Sequence, residues 1–219
     1  MTSIRHTETH RLTVGAVDDP SATDPLLAAA RDVIMTHGPR RATLTEVARQ
    51  AGVSRMTVYR RFESFDRLMS ALLTQELAAI LTQIPLPEPG QGTAHEQAVD
   101  LIVAATHAIA DHPLVQRVLA VDPEYLTPLM VQRFGQTQRA SAELLQPLLA
   151  AGMTGAGGDG TIRDGDPKAI ALACVTAVQS FIFAAPALAA QPAGAAARAE
   201  LRPLVAGFLR PDPKENRDE

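Results

Sequence analysis

The chain has 219 residues, 46% hydrophobic, 4% aromatic and 20% charged, with a formal net charge of −4. That length holds one sizeable core or a small domain joined to a larger one, scarce aromatics beside abundant alanine favour helices over a β-sandwich, and a single cysteine, Cys174, excludes an intramolecular disulfide framework or a cysteine-rich zinc site. No apolar run resembling a signal peptide opens the chain and no uninterrupted apolar stretch reaches about 18 residues, so a cytoplasmic protein with no membrane partner is expected.

Residues 1–22 are polar and unpatterned and predict a flexible arm, with Arg5 and Arg11 as candidate phosphate contacts; His6 and His10 lack further ligands for a metal. A first helix starts with Thr23 or Asp24 as N-cap and Pro25 in its first turn, carries Leu26, Leu27, Ala30 and Ile34, and ends at His37-Gly38-Pro39. A second opens on Thr43-Leu44-Thr45-Glu46, a capping-box pattern, with Leu44, Val47 and Ala48 inward. Gly52 marks a reversal, Val53 is expected to plug the gap between helices, and Ser54 caps a short third helix. Its period turns Val58 and Phe62 inward and leaves Arg55, Met56, Thr57, Tyr59 and Arg60 outside. A fourth helix runs from Ser64 through Leu68, Met69, Leu72, Leu73 and Leu77 to about Leu81, where Pro85, Pro87 and Pro89 stop it.

Beyond the prolines, helical segments are predicted at 93–110, 113–121, 123–132 and 134–151, each bounded by proline or glycine. Residues 167–185 are apolar on nearly every face, and 193–209 gather Ala197, Leu201, Leu204, Val205 and Phe208 on one side, with Pro203 expected to kink the segment. An all-α protein follows: arm 1–22, a three-helix domain over 23–67, a larger helical domain over 68–210, and a tail from 211 to 219.

Two short helices around a tight glycine turn form a helix-turn-helix, whose second helix enters the DNA major groove. Charge supports that reading despite the acidic total. Residues 31–67 carry eight arginines against four acids, a local +4, whereas residues 68–219 carry 10 basic and 16 acidic groups, a local −6. One end is built to meet a polyanion.

The stretch "TLTEVARQAGVSRMTVYRRFESFDRLMSALL" resembles the N-terminal domain of the tetracycline-repressor (TetR) family of bacterial transcriptional regulators, over residues 24–73, and "GTIRDGDPKAIALA" resembles the family's lead into its dimerisation helices. The resemblance implies that Thr43, Thr45, Thr57 and Tyr59 contact phosphates and that Ser54, Arg55, Met56 and Arg60 read the groove. It also implies a small-molecule pocket between helices 4 to 8, for which Leu77, Ile102, Ile109, Tyr125, Met130, Phe134 and Phe181 are candidates. Met56 stands where the family often has glycine, and Phe65 where it commonly has lysine, so Arg61 or Arg67 is the expected substitute at that phosphate.

Other signals point to structure. "GAGGDG", residues 155–160, has no strand before it and reads as a flexible interhelical loop, not a dinucleotide site. His107, Asp111 and His112 have no nucleophile beside them and read as helix-end or pocket hydrogen bonds, and Cys174 as a buried small hydrophobe. No cofactor, metal or catalytic residue is expected.

The expected function is a ligand-responsive transcriptional regulator, a repressor on a palindromic operator, acting as a homodimer through Leu172, Val175, Gln179, Leu201, Leu204 and Phe208, with a small, largely apolar effector. Alternatives are a constitutive DNA-binding protein without effector and a helical enzyme carrying an incidental helix-turn-helix.

Overall fold

A computed structural model describes residues 24–85, 91–125 and 136–211. The expected arm and tail, the greater part of the predicted 123–132 helix, Met130 and Phe134 lie outside the described residues; at Tyr125 only the backbone is described.

Four helices make the N-terminal part: α1 (Pro25–His37), α2 (Leu44–Gln50), α3 (Arg55–Arg61) and α4 (Phe65–Gln83). Their starts are chemical. Asp24, Thr43, Ser54 and Ser64 each accept a backbone N–H from the first turn they precede, satisfying donors that a helix leaves open. The Thr43 box is only half built. Thr43 accepts from the Glu46 N–H at 3.1 Å, but the Glu46 carboxylate receives the Arg49 guanidinium, because a full charge one turn away outcompetes a backbone donor. The reciprocal box forms instead at Thr93 and Glu96.

The body consists of α5 (Ala94–Ala110), α6 (Pro113–Val121), a 3₁₀ turn at Pro123–Tyr125, α7 (Gln136–Gly152), α8 (Pro167–Ala189), α9 (Gly194–Ala199) and α10 (Leu201–Leu209). The predicted single helix over 193–209 is two helices, broken at Glu200. Pro203 therefore falls in the first turn of α10, where its missing N–H has no intrahelical partner to lose, and the expected kink becomes a helix start. Likewise α8 runs through Pro186 to Ala189 instead of stopping at 185.

Two cores result. The first joins α1 to α4 through Ile34, Val47, Val58, Leu68, Met69 and Leu72, and takes in Leu114, Val118 and Leu119 of α6. The second packs α5, α7, α8 and α10 through Ala98, Ile102, Leu149, Ile170, Cys174, Leu201 and Leu209. Thus α6 belongs by sequence to the body and by packing to the N-terminal head. The "GAGGDG" loop is pinned: Asp159 accepts the Ala94 N–H at 2.9 Å, and Ile162 N–H donates to the Gly152 carbonyl at 2.8 Å.

Candidate nucleic-acid interface

Helix α3 is anchored by Val58, which is fully buried, and by Phe62 just past its end. The helical period then forces Arg55, Met56, Tyr59 and Arg60 outward together. Met56 is 78% exposed. Thr57 is half-buried, and its hydroxyl lies 2.8 Å from that of Ser54, whose oxygen also accepts the Thr57 N–H. Thr43 and Ser54 thus present hydroxyls that are oriented by capping, at the starts of α2 and α3; Thr45 is half-buried. Gly52, at φ 66°, makes the reversal between the helices. Val53 is exposed and does not plug the interhelical gap as expected, since Ala48, Val58 and Phe62 already fill it.

At the start of α4 the Phe65 ring packs against the first core, so that position offers no phosphate donor. The two arginines expected to replace it differ. Arg67 is exposed, whereas Arg61 is drawn to Asp24. A second polar contact fixes the α1–α2 loop to the end of α6: the buried Asp122 carboxylate accepts the Arg40 N–H at 3.2 Å and faces the Arg40 guanidinium, which also meets Glu124. Arg117 of α6 donates to the Thr36 carbonyl at 3.1 Å. Pairs 37 and 82 residues apart carry no local sequence signal, so sequence reasoning missed both; only the cap role of Asp24 was legible.

The remaining candidates take structural places. In the body, Leu77 and Ile109 are half-buried, while Ile102 is buried within the second core and Phe181 packs on it. Leu172 and Val175 lean on the same core and Gln179 is half-buried; Leu204 and Phe208 are 58% and 42% exposed. Leu201, only 1% exposed, lies inside this chain's own core and has no face to offer a partner, which corrects its place among the pairing residues. Asp111 is held by Arg198 and His112 by Glu76 at 3.1 Å. Burial pushes the Cys174 thiol up to about 11, the behaviour of an inert core thiol.

The profile described as "Bacterial regulatory proteins, tetR family" matches residues 26–72, the segment that holds the capped helices and the exposed face of α3. An uncharacterized HTH-type transcriptional regulator of Mycobacterium bovis is 33% identical over 184 residues, covering 84% of this chain and 92% of its own. The chain belongs to the tetR family of bacterial regulatory proteins. A TetR-family transcriptional regulator from Pectobacterium atrosepticum shares the fold, with a TM-score of 0.63 at 21% identity over 84% of this chain and 92% of that one. So does FadR from Bacillus subtilis, solved in complex with stearoyl-CoA, with a TM-score of 0.59 at 15% identity over 85% and 98%. It is a TetR-family transcriptional regulator whose DNA-binding helix-turn-helix is made by α2 and α3.

Proposed function

We propose that this TetR-family regulator is an effector-responsive repressor that binds a palindromic operator as a homodimer in the bacterial cytoplasm. The observation that carries the reading is the exposed face of α3, where Arg55, Met56, Tyr59 and Arg60 combine guanidinium forks, an apolar contact for a thymine methyl and a phenol for a phosphate oxygen. Pairing is supported by α8, which is long and apolar enough to cross a membrane, at 23 residues and mean hydropathy 1.9, yet lies along α5 and α7 with only Ile170, Ala171, Cys174 and Ala185 buried. Together with Leu204 and Phe208 on α10 it leaves apolar surface that a second copy would cover.

The effector belongs between α4 and the body helices, beside half-buried Leu77 and Ile109, with Ile102, Tyr125, Met130, Phe134 and Phe181 as the other candidates. A largely apolar ligand suits such side chains, and the structural neighbour FadR, solved in complex with stearoyl-CoA, supports that reading. The decisive experiment is selection of operators from random DNA by the purified protein, followed by titration with apolar small molecules. A palindrome whose half-sites are spaced by a turn of DNA is expected, together with a ligand that weakens it. By reciprocity operator must weaken that ligand by the same factor. Failure to recover any palindrome refutes the dimeric operator reading, and a tight ligand indifferent to operator refutes induction by it.

A further inference from the structure

Where α3 gives way to α4, a recess of about 360 Å³ is lined by Arg60, Arg61, Phe62, Glu63 and Arg67. Its three guanidinium groups would be equivalent phosphate partners if each were free to turn outward. They are not equivalent. Arg61 reaches across the head to Asp24: its Nη1 donates to Oδ1 at 3.2 Å and its Nη2 makes a closer contact with Oδ2. The same guanidinium lies 5.5 Å above the Phe62 ring. Two parallel bonds to one carboxylate are the arrangement that holds arginine best.

Asp24 is itself immobilised. Its Oδ1 accepts the Leu26 N–H at 3.0 Å, so the carboxylate caps α1 while it grips the last turn of α3. One side chain thereby joins two helix ends that lie 37 residues apart in sequence. The Asp24 side chain is largely buried and that of Arg61 more than half exposed, so the acid fixes where the base can go.

We infer that Asp24 makes Arg61 the positioning residue of the reading helix and withholds its guanidinium from the DNA backbone. The inference rests on α3 being the groove helix. Two consequences follow from charge and geometry. Neutralising Arg61 in place removes one counterion-releasing phosphate contact per subunit, which lowers affinity for any sequence. Fixing the end of α3 against α1 keeps Arg55 and Met56 in register with base edges, which raises affinity for the right sequence only. Both effects widen the gap between operator and unrelated DNA.

The test measures binding of the full chain to its selected operator and to a scrambled duplex across a range of salt concentrations. Asp24→Asn is the informative variant, because asparagine caps a helix as well as aspartate does and removes only the charge. With Arg61 released, the plot of log affinity against log salt for the scrambled duplex is expected to steepen by about 0.9 for each subunit bound. The operator-to-scrambled ratio is expected to fall roughly tenfold, the scale of one spoiled base contact. Arg61→Gln should lower the ratio similarly with the salt slope unchanged, and Arg61→Lys, which keeps the pair with Asp24, should restore most of it. An Arg61→Gln protein whose slope flattens by about 0.9 while its ratio stays constant would show Arg61 to be a phosphate ligand and overturn the inference. So would variants that melt earlier but bind both duplexes as the wild type does. A wild-type chain without preference for any sequence would instead overturn the groove reading itself, whatever the variants do.

Discussion

Arg55 and Tyr59 stand one turn apart on the same exposed face, and their chemistry assigns them different work. A guanidinium can donate to both acceptors on the major-groove edge of guanine, so Arg55→Ala is expected to relax preference at one base position by about 1 to 3 kcal/mol. Tyr59→Phe removes a hydroxyl and nothing else, so it should weaken binding to every sequence alike, by about 0.5 to 1.5 kcal/mol. Repeating the operator selection with each variant separates the two: an unchanged motif after Arg55→Ala would remove that residue from base reading. These side chains were legible from sequence because Val58 and Phe62 commit one side of a short helix to the core, and the period then places everything else. Periodicity is silent about what covers a face. It put Leu201 on the same stripe as Leu204 and Phe208, although α10 turns Leu201 and Leu209 into the second core and only the other two outward. It was equally silent about Asp24 and Arg61, whose meeting depends on how α1 and α3 cross.

The joints between helices are where local signals were strongest. Caps at Thr43 and Ser54 marked helix starts that the structure reproduces, because each is a hydroxyl followed within a turn by a donor it can satisfy. Residues 193–209 offered no such cap, and there the expected single helix proved to be two. Glycine joints show how far the signal extends. Gly52, at φ 66°, has nothing within 4 Å of where a Cβ would stand, so Gly52→Ala bears only the cost of the left-handed backbone, about 1 kcal/mol. Gly38 adopts φ 79°, ψ 161°, a region almost confined to glycine, and a Cβ there would stand 2.9 Å from Val121 Cγ1 and 3.2 Å from Asp122 Oδ2. The backbone alone costs about 1 to 3 kcal/mol, and the end of α6 must also give way. Urea denaturation is expected to show Gly38→Ala as clearly the more damaging; equal losses would mean that α6 yields freely. Sequence could mark both glycines as turns. Only the fold reveals that one of them abuts α6.

At the scale of the molecule, head and body share α6 and a polar tie beside it. Glu76 of α4 faces Arg31 of α1 at 3.3 Å and His112, at the α5–α6 corner, at 3.1 Å. Burial lowers the affinity of His112 for a proton, against the pull of Glu76, and burial likewise lowers that of His107, assisted by Arg198. Both imidazoles therefore bind protons more weakly folded than unfolded. Stability is then fully present above the ordinary imidazole value of 6.5 and falls as pH drops through it toward the depressed folded values. Thermal midpoints are expected to decline between about pH 7 and pH 5, and less so in His107→Gln/His112→Gln; an unaltered profile in that variant would acquit both histidines. The proposed pairing surface sets the other whole-molecule expectation. Leu204 and Phe208 both face outward on α10, yet they are not equivalent, since the Arg163 guanidinium sits 4.5 Å over the Phe208 ring. A carboxylate introduced by Phe208→Glu would find that arginine and be partly neutralised, whereas one introduced by Leu204→Glu would enter an apolar seam. Burying an unpaired charge costs several kcal/mol, or else the seam opens to water. Sedimentation is accordingly expected to show a wild-type dimer at micromolar concentration, a monomer for Leu204→Glu, and a weakened dimer for Phe208→Glu. Operator binding should fall in the same order, because a lone head holds one half-site and forfeits the second. A monomeric wild type, or a Leu204→Glu protein that remains dimeric, would place the pairing surface elsewhere.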